Sequence, residues 1–429
     1  MFTIDRRKFL TLAGASTASL IAAPHVARAA GGKVVVIGGG PGGATAARYL
    51  RRMDPTVEVT LIEANKDYYT CFMSNEVLSG ERKLESLRFG FDGLAKQGVK
   101  VVHDLVTGID GAAKSVTTKG GQKFAYDRCI VAPGIDFNWS AVPGYSAEAA
   151  EKLPHAWKAG PQTTLLRQQL EAMPDGGVFV MVSPPNPYRC PPGPYERASL
   201  VAHYFKHHKP KSKVIILDAK DAFPKQKLFE QAWAKFYGFG TPNSMIEWVP
   251  AAKGGKPSEI DVAGLAVKTE FDTIKGAVIN VIPVQKAGQI AFDAGLTEGN
   301  WAPVNKGTFE SKKVAGIHVL GDGADAAVMP KSGYSANSQA KVAAAAALAM
   351  MKGAPPPTPA YVNTCYSIAG KDHAFSVAGV YTFDAEKNAI AEVKDAGGLS
   401  PIDASAEDRK REVSYAESWF RNITHDIWG

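Results

Sequence analysis

The sequence predicts an α/β protein: two Rossmann-like domains followed by a smaller α+β region at the C-terminus. Three observations predict it. Residues 33–37 are a continuous β-branched run closed by a glycine-rich turn, and residues 178–182 are a second run of the same kind. Each is followed by a helix-compatible stretch (44–53 and 195–207) and another apolar strand (57–62 and 213–218), the pattern of a strand-helix-strand unit on a parallel sheet. A proline-rich linker at 354–359 then sets off the last 70 or so residues, which end in the aromatics Trp419, Phe420 and Trp428.

The remaining elements fall between these landmarks. Residues 99–104 and 124–131 read as strands, the latter running into Ala132-Pro133-Gly134. Residues 249–284 read as short strands and hairpins. Residues 316–322 read as one more buried strand with a Gly321-Asp322 end. The alanine-rich stretch from about Ser335 to Met351 reads as a packed helix. The expected division is 30–141 and 281–353 for the first domain, 142–280 for the second, and 354–429 for the C-terminal region.

The 429 residues, 45% hydrophobic and 21% charged, suffice for a large core. The first 29 read as an export leader. Arg6-Arg7-Lys8 precedes a mildly apolar stretch at 9–23, and Ala27-Arg28-Ala29 supplies a small-x-small cleavage site. A twin-arginine leader predicts export in the folded state to the periplasm. Removing its four bases and one acid lowers the net charge from +7 to +4, too modest to suggest nucleic-acid binding. No other apolar run reaches spanning length, so stable membrane insertion is not expected.

The cysteines are Cys71, Cys129, Cys190 and Cys365. An oxidising destination permits disulfides, and four cysteines allow three full pairings. No Cys-x-x-Cys occurs, which excludes zinc ribbons and thioredoxin-type sites. Without Cys-x-x-Cys-His the chain carries no c-type haem of its own. The nine histidines lack ligand spacing, so no metal is assigned.

Gly38-x-Gly40-x-x-Gly43 stands between a strand and a helix, where a pyrophosphate fingerprint must stand. Glu63, at the end of the next strand, is placed for the adenosine ribose. The second unit lacks such a loop. After its first strand comes Ser183-Pro184-Pro185-Asn186-Pro187-Tyr188-Arg189-Cys190-Pro191-Pro192-Gly193-Pro194. Prolines remove N–H donors, so this loop is not expected to cradle NAD(P)H. Cys129 lies inside a strand and reads as a buried spectator.

The fingerprint, the Ala132-Pro133-Gly134 strand end and the late Asp322, placed to reach a ribityl chain, together resemble the pyridine-nucleotide-disulfide reductase superfamily. That resemblance implies a glutathione-reductase-like layout and FAD as cofactor. Longer strings are similar to the flavoprotein subunit of flavocytochrome c sulfide dehydrogenase. They are Asp67-Tyr68-Tyr69-Thr70-Cys71, Leu153-Pro154-His155-Ala156-Trp157, Arg189-Cys190-Pro191-Pro192-Gly193-Pro194-Tyr195-Glu196, Met329-Pro330-Lys331-Ser332-Gly333-Tyr334-Ser335 and Asn363-Thr364-Cys365-Tyr366-Ser367.

The resemblance implies a thioether from Cys71 to FAD and a redox disulfide between Cys190 and Cys365. It further implies proton handling by Glu196, positive charge from Lys331 at the flavin pyrimidine, and Trp419 beside the flavin. The implied activity is oxidation of hydrosulfide, with electrons passed to a c-type cytochrome subunit that carries the haem in a heterodimer. The alternatives are a sulfide:quinone oxidoreductase and a non-catalytic electron-transfer flavoprotein.

Overall fold

A computed structural model of the chain describes residues 31–429, so the leader read at 1–29 lies outside the described residues. The first sheet is parallel, in the order Ile317–Val319, Arg128–Val131, Lys33–Ile37, Glu58–Glu63, Lys100–His103. Its central strand is apolar because both faces are covered: Val34, Val35, Val36 and Ile37 are all buried. The helices Pro41–Met53 and Gly333–Met351 pack on it. Small residues such as Ala44, Ala47, Ala340 and Ala343 let the two helices approach closely.

The second sheet is also parallel, in the order Ile246–Val249, Lys213–Asp218, Val178–Ser183, Val278–Val281. These are the two Rossmann-like domains. The chain passes between them twice, and the passages Ile135–Phe137 and Gln285–Ala287 pair antiparallel. Beyond the linker, Ala360–Gly370, His373–Asp384 and Ala389–Glu392 form an antiparallel sheet, joined by Gly398–Leu399. The final helix, Ala406–Trp428, packs on that sheet, opened by a Ser405–Asp408 capping box.

Three readings need correction. The run 124–131 is two strands, Lys123–Ala125 and Arg128–Val131. They part because Asp127 N–H donates to Lys33 O and its carboxylate accepts from Lys33 N–H, while Tyr126 N–H turns to Lys114 O. The stretch 249–284 does hold a meander, Pro257–Asp261, Ala266–Thr269 and Thr273–Lys275, but Val278–Val281 is a fully buried parallel strand, not a hairpin arm. The strand read at 316–322 covers only Ile317–Val319, and Gly321–Gly323 is a tight 3-10 turn that lifts Asp322 off the sheet end.

Candidate active site

The glycine turn is built as the fingerprint requires. Gly38 has φ +95°, and a Cβ there would stand 2.4 Å from Ala132 O. A Cβ at Gly43 would stand 1.8 Å from Gly38 O, so only glycine lets the helix start this close to the strand. Gly40 faces the Tyr68 ring. Glu63 accepts from Gly39 N–H at 2.7 Å and from Asn65 N–H at 2.9 Å, which fixes its carboxylate at the mouth of the turn. Trp428 closes the turn from the other end of the chain. Its Nε1 donates to Gly39 O at 3.1 Å, and its ring stacks on Tyr68 and Phe89 at 5.1 and 5.0 Å.

A cavity of about 800 Å³, partly open to solvent, lies between the first domain, the proline loop and the C-terminal sheet. Cys71, Cys190, Cys365, Glu196 and Trp419 all line it. Residues hundreds of positions apart in sequence thus meet at one place. Asp322 and Lys331 line a smaller adjoining crevice, and Ser332 borders both. All four cysteines are free thiols in the structure. Cys129 is buried in its strand, away from the cavity.

The proline loop presents Cys190 in a left-handed backbone conformation, φ +58°, which a β-substituted residue adopts only when its surroundings enforce it. Cys190 N–H donates to Lys331 O at 2.8 Å, Arg189 N–H to Gln285 Oε1 at 2.8 Å, and Gly193 N–H back to Cys190 O at 2.8 Å. These donors are therefore engaged within the protein and none is left for a phosphate. The acid at the second sheet's edge is engaged too. Asp218 accepts from Tyr195 Oη at 2.6 Å, Lys220 Nζ at 2.6 Å and Trp248 Nε1 at 3.0 Å. Tyr195 stacks on Phe223 at 3.6 Å. Tyr195, Lys220 and Trp248 thus converge on Asp218 at the end of that strand.

Burial pushes all three cavity thiols up. Beside Cys71, Arg189 opposes that rise, and beside Cys365, Lys225 does. Cys190 is raised furthest, with Cys365 and Glu196 adding to the effect of burial. Burial also raises the Glu196 carboxyl, against hydrogen bonds from Ile368 N–H at 2.9 Å and Asn75 Nδ2 at 2.8 Å. Lys331 is pushed down to about 8 by burial; its Nζ donates to Asp322 O and Ala324 O, both at 2.8 Å, and lies 3.6 Å from the Trp301 ring centre. The helix after it begins at Gly333, with the Ser332 side chain accepting from Ser335 N–H.

Several buried polar atoms around these cavities have no partner within the chain: Asp322 Oδ1, Trp419 Nε1, Trp157 Nε1 and Gln285 Nε2. Unpaired buried groups are costly and uncommon, so a cluster of them around a cavity points to a ligand. Together with the glycine turn, the residues present fit a flavin-adenine dinucleotide. Its pyrophosphate would lie on Gly38–Gly43, its ribityl chain by Asp322, and its ring in the cysteine cavity.

Three family models match the chain. Residues 32–171 match pyridine nucleotide-disulphide oxidoreductase. Residues 163–283 match the central part of the sulfide dehydrogenase [flavocytochrome c] flavoprotein chain, and residues 357–428 match the flavin-binding part of flavocytochrome c sulphide dehydrogenase. The chain belongs to the flavocytochrome c sulfide dehydrogenase flavoprotein-chain family. It is 53% identical over 45 residues to that flavoprotein chain from Chlorobaculum thiosulfatiphilum, covering 10% of this chain and 94% of the other. It is 22% identical over 311 residues to the mitochondrial sulfide:quinone oxidoreductase of Mus musculus, covering 68% of this chain. The match spans 65% of that relative's length, just under two thirds. The structure of the sulfide:quinone oxidoreductase from Aquifex aeolicus superposes with TM-score 0.66 at 18% identity, covering 92% of each chain.

Arg189, Asn75 and Lys225 are site residues beyond those read from the sequence. Arg189 had a signal, since it adjoins Cys190 in the proline loop. Asn75 lies four residues past Cys71, yet nothing in its spacing points to Glu196.

Glu76 carries a pH-dependent prediction. It is buried on the short Asn75–Ser79 helix, and burial pushes its carboxyl from 4.5 up to about 7, despite Arg82 Nε at 2.5 Å and with help from Glu417 and Glu196. A carboxyl raised on folding adds stability that is complete below its unfolded value and is lost as pH rises through its folded value. Glu76→Gln should therefore melt above the parent at about pH 8 and flatten the decline between pH 5 and 8, as read by thermal melts across that range. Parallel melting curves for the two proteins would contradict this.

Proposed function

We propose that this flavoprotein oxidises hydrosulfide to zero-valent sulfur through a Cys190–Cys365 disulfide and delivers the electrons to a c-type cytochrome subunit. The observation that carries the reading is the convergence of Cys190, Cys365, Cys71 and the buried acid Glu196 on one cavity beside a flavin-type glycine turn. Hydrosulfide attacks one sulfur of the disulfide. The S–S bond breaks and its electron pair leaves on the other sulfur as a thiolate, giving a persulfide on the first. Re-forming the disulfide releases the outer sulfur as S⁰, with one proton and two electrons. Glu196, whose carboxyl is raised by burial, is placed to take that proton. Bound FAD supplies a two-electron acceptor that can return electrons singly.

Cys71, in the same cavity, is the proposed point of covalent attachment. Cys71→Ala should leave flavin that acid precipitation extracts, whereas the parent's flavin should stay with the polypeptide. Extraction of flavin from both would remove the covalent link. The twin-arginine leader is consistent with assembly in the periplasm.

The family match supports the cytochrome acceptor, and so does the C-terminal helix. Its Phe420 and Trp428 are buried, and Trp428 is engaged with Gly39, while Tyr415 is exposed. Among the described residues no helix is long and apolar enough to cross a membrane. The likeness to mitochondrial sulfide:quinone oxidoreductases favours a second reading, quinone as acceptor. An anaerobic sulfide titration separates the two. Flavin bleaching followed by haem reduction without quinone supports the cytochrome reading. Reoxidation by a quinone analogue alone transfers the assignment to quinone. A flavin that sulfide leaves oxidised removes the substrate.

A further inference from the structure

Lys225 lies outside every motif, yet it sits against the backbone of Cys365. It comes from the loop after the Lys213–Asp218 strand, immediately before the helix Gln226–Tyr237. Only 5% of it is exposed, and its Nζ donates to the backbone carbonyl of Cys365 at 3.0 Å. An ammonium has three donors, and this is its one hydrogen bond among the described residues. Its position is unfavourable in three ways. A buried cation costs free energy unless an anion accompanies it. Its φ of +63° is the left-handed region, which a lysine adopts only under constraint. It also caps the amino end of a helix, where the macrodipole repels positive charge. Among the described residues no Asp or Glu comes within ion-pair distance of it, and Glu196 acts on it only from farther off. Its Nζ lies 5.7 Å from the Phe375 ring centre, which offsets part of these costs but supplies no counter-anion.

We propose that Lys225 is the counter-charge for anionic sulfur on Cys365, which makes Cys365 rather than Cys190 the sulfur that carries negative charge when the pair is reduced. The titratable groups facing Cys365 support this. Glu196 faces it from the Gly193–His208 helix, Cys190 from the proline loop, and Cys71 from the loop after Tyr69. Glu196 and Cys71 disfavour an anion there, and Lys225 alone among the charged groups acting on Cys365 favours one. Burial raises both thiols and Lys225 opposes that rise at both, but the hydrogen bond of its ammonium is to Cys365, and this geometry places the counter-charge at Cys365. Lys225 acts through space on a reacting atom and is a positioning residue in the sulfur chemistry.

The inference deepens the proposed sulfide oxidation, but its test needs no sulfide. The flavin-loaded protein is reduced, then alkylated with iodoacetamide across a pH series, and each cysteine is followed by peptide mass. Cys365 should alkylate with a lower pH midpoint than Cys190. In Lys225→Met the Cys365 midpoint should rise by about one to three pH units, which is at least about a tenfold slower reaction at fixed pH, whereas Lys225→Arg should stay near the parent. Cys190 ionising first in the parent overturns the proposal even if the Met variant does not fold. An unmoved Cys365 midpoint in a folded Met variant overturns it as well. Failure of the sulfide titration with these midpoints intact would instead remove the substrate and leave the ion pairing in place.

Discussion

Anaerobic sulfide added to a flavin-loaded Cys365→Ser protein should leave the flavin spectrum unchanged, while dithionite bleaches it as in the parent. The rate of sulfide-driven reduction should fall by at least about a thousandfold, the scale on which loss of a covalently acting residue shows. Cys190→Ser should do the same. The two losses should not add, because each removes the same S–S bond. A serine hydroxyl occupies nearly the space of the thiol, and both residues line an open cavity, so the fold and flavin content should persist. That separates loss of chemistry from loss of protein. A Cys365→Ser protein that still bleaches with sulfide would show that hydrosulfide reaches the flavin without the cysteine pair, and the disulfide mechanism would fall.

The strand-turn-helix of the first domain was legible because its signals are local. A buried parallel strand needs a continuous apolar run, and the glycines are demanded by contacts as short as that between a Gly43 Cβ and Gly38 O. Cys71, Cys190, Cys365, Glu196 and Trp419 were legible through long, unusual strings rather than through spacing, and they do line one cavity. What was not legible depends on packing. Residues 124–131 show a single strand-like pattern, and only the bonds that Lys33 makes with the backbone N–H and the carboxylate of Asp127 divide them between two sheets. Asp218 shows in the sequence only as the end of the 213–218 strand, and only the structure brings Tyr195, Lys220 and Trp248 onto it. The helix Gln226–Tyr237 carries apolar residues at helical spacing, but it begins at a left-handed lysine without a conventional cap, so neither its start nor the place of Lys225 shows in the pattern.

Arg197→Met should lower the melting temperature by roughly ten degrees, the largest expected loss of stability from a change outside the cysteines. Arg197 is 2% exposed and donates to Asn75 Oδ1 at 3.0 Å, His155 O at 2.9 Å, Asn280 Oδ1 at 2.8 Å and Ala156 O at 2.6 Å. Its guanidinium also lies 4.9 Å from the Trp157 ring centre. Burial lowers it to about 9, so it remains charged at neutral pH. Methionine fills most of the space, which keeps cavity formation small, but Asn75 Oδ1, Asn280 Oδ1 and Ala156 O lose their donor, while His155 O keeps Asn280 Nδ2 at 2.9 Å. Each unmatched acceptor costs about 1–3 kcal/mol, and breaking a buried charged network costs about 3–5 kcal/mol in total after relaxation. Arg197→Lys should recover only part of this, since a single ammonium cannot reproduce a planar fork reaching four acceptors. The same fork orients Asn75, whose Nδ2 holds Glu196 Oε2 at 2.8 Å. Thermal melts therefore need a companion measurement, the pH profile of sulfide-driven flavin reduction. A Met variant that melts low and also shifts that profile would make Arg197 the member that links the stability of the second domain to the acid at the sulfur site. A Met variant that melts with the parent would mean that the four bonds contribute little to stability.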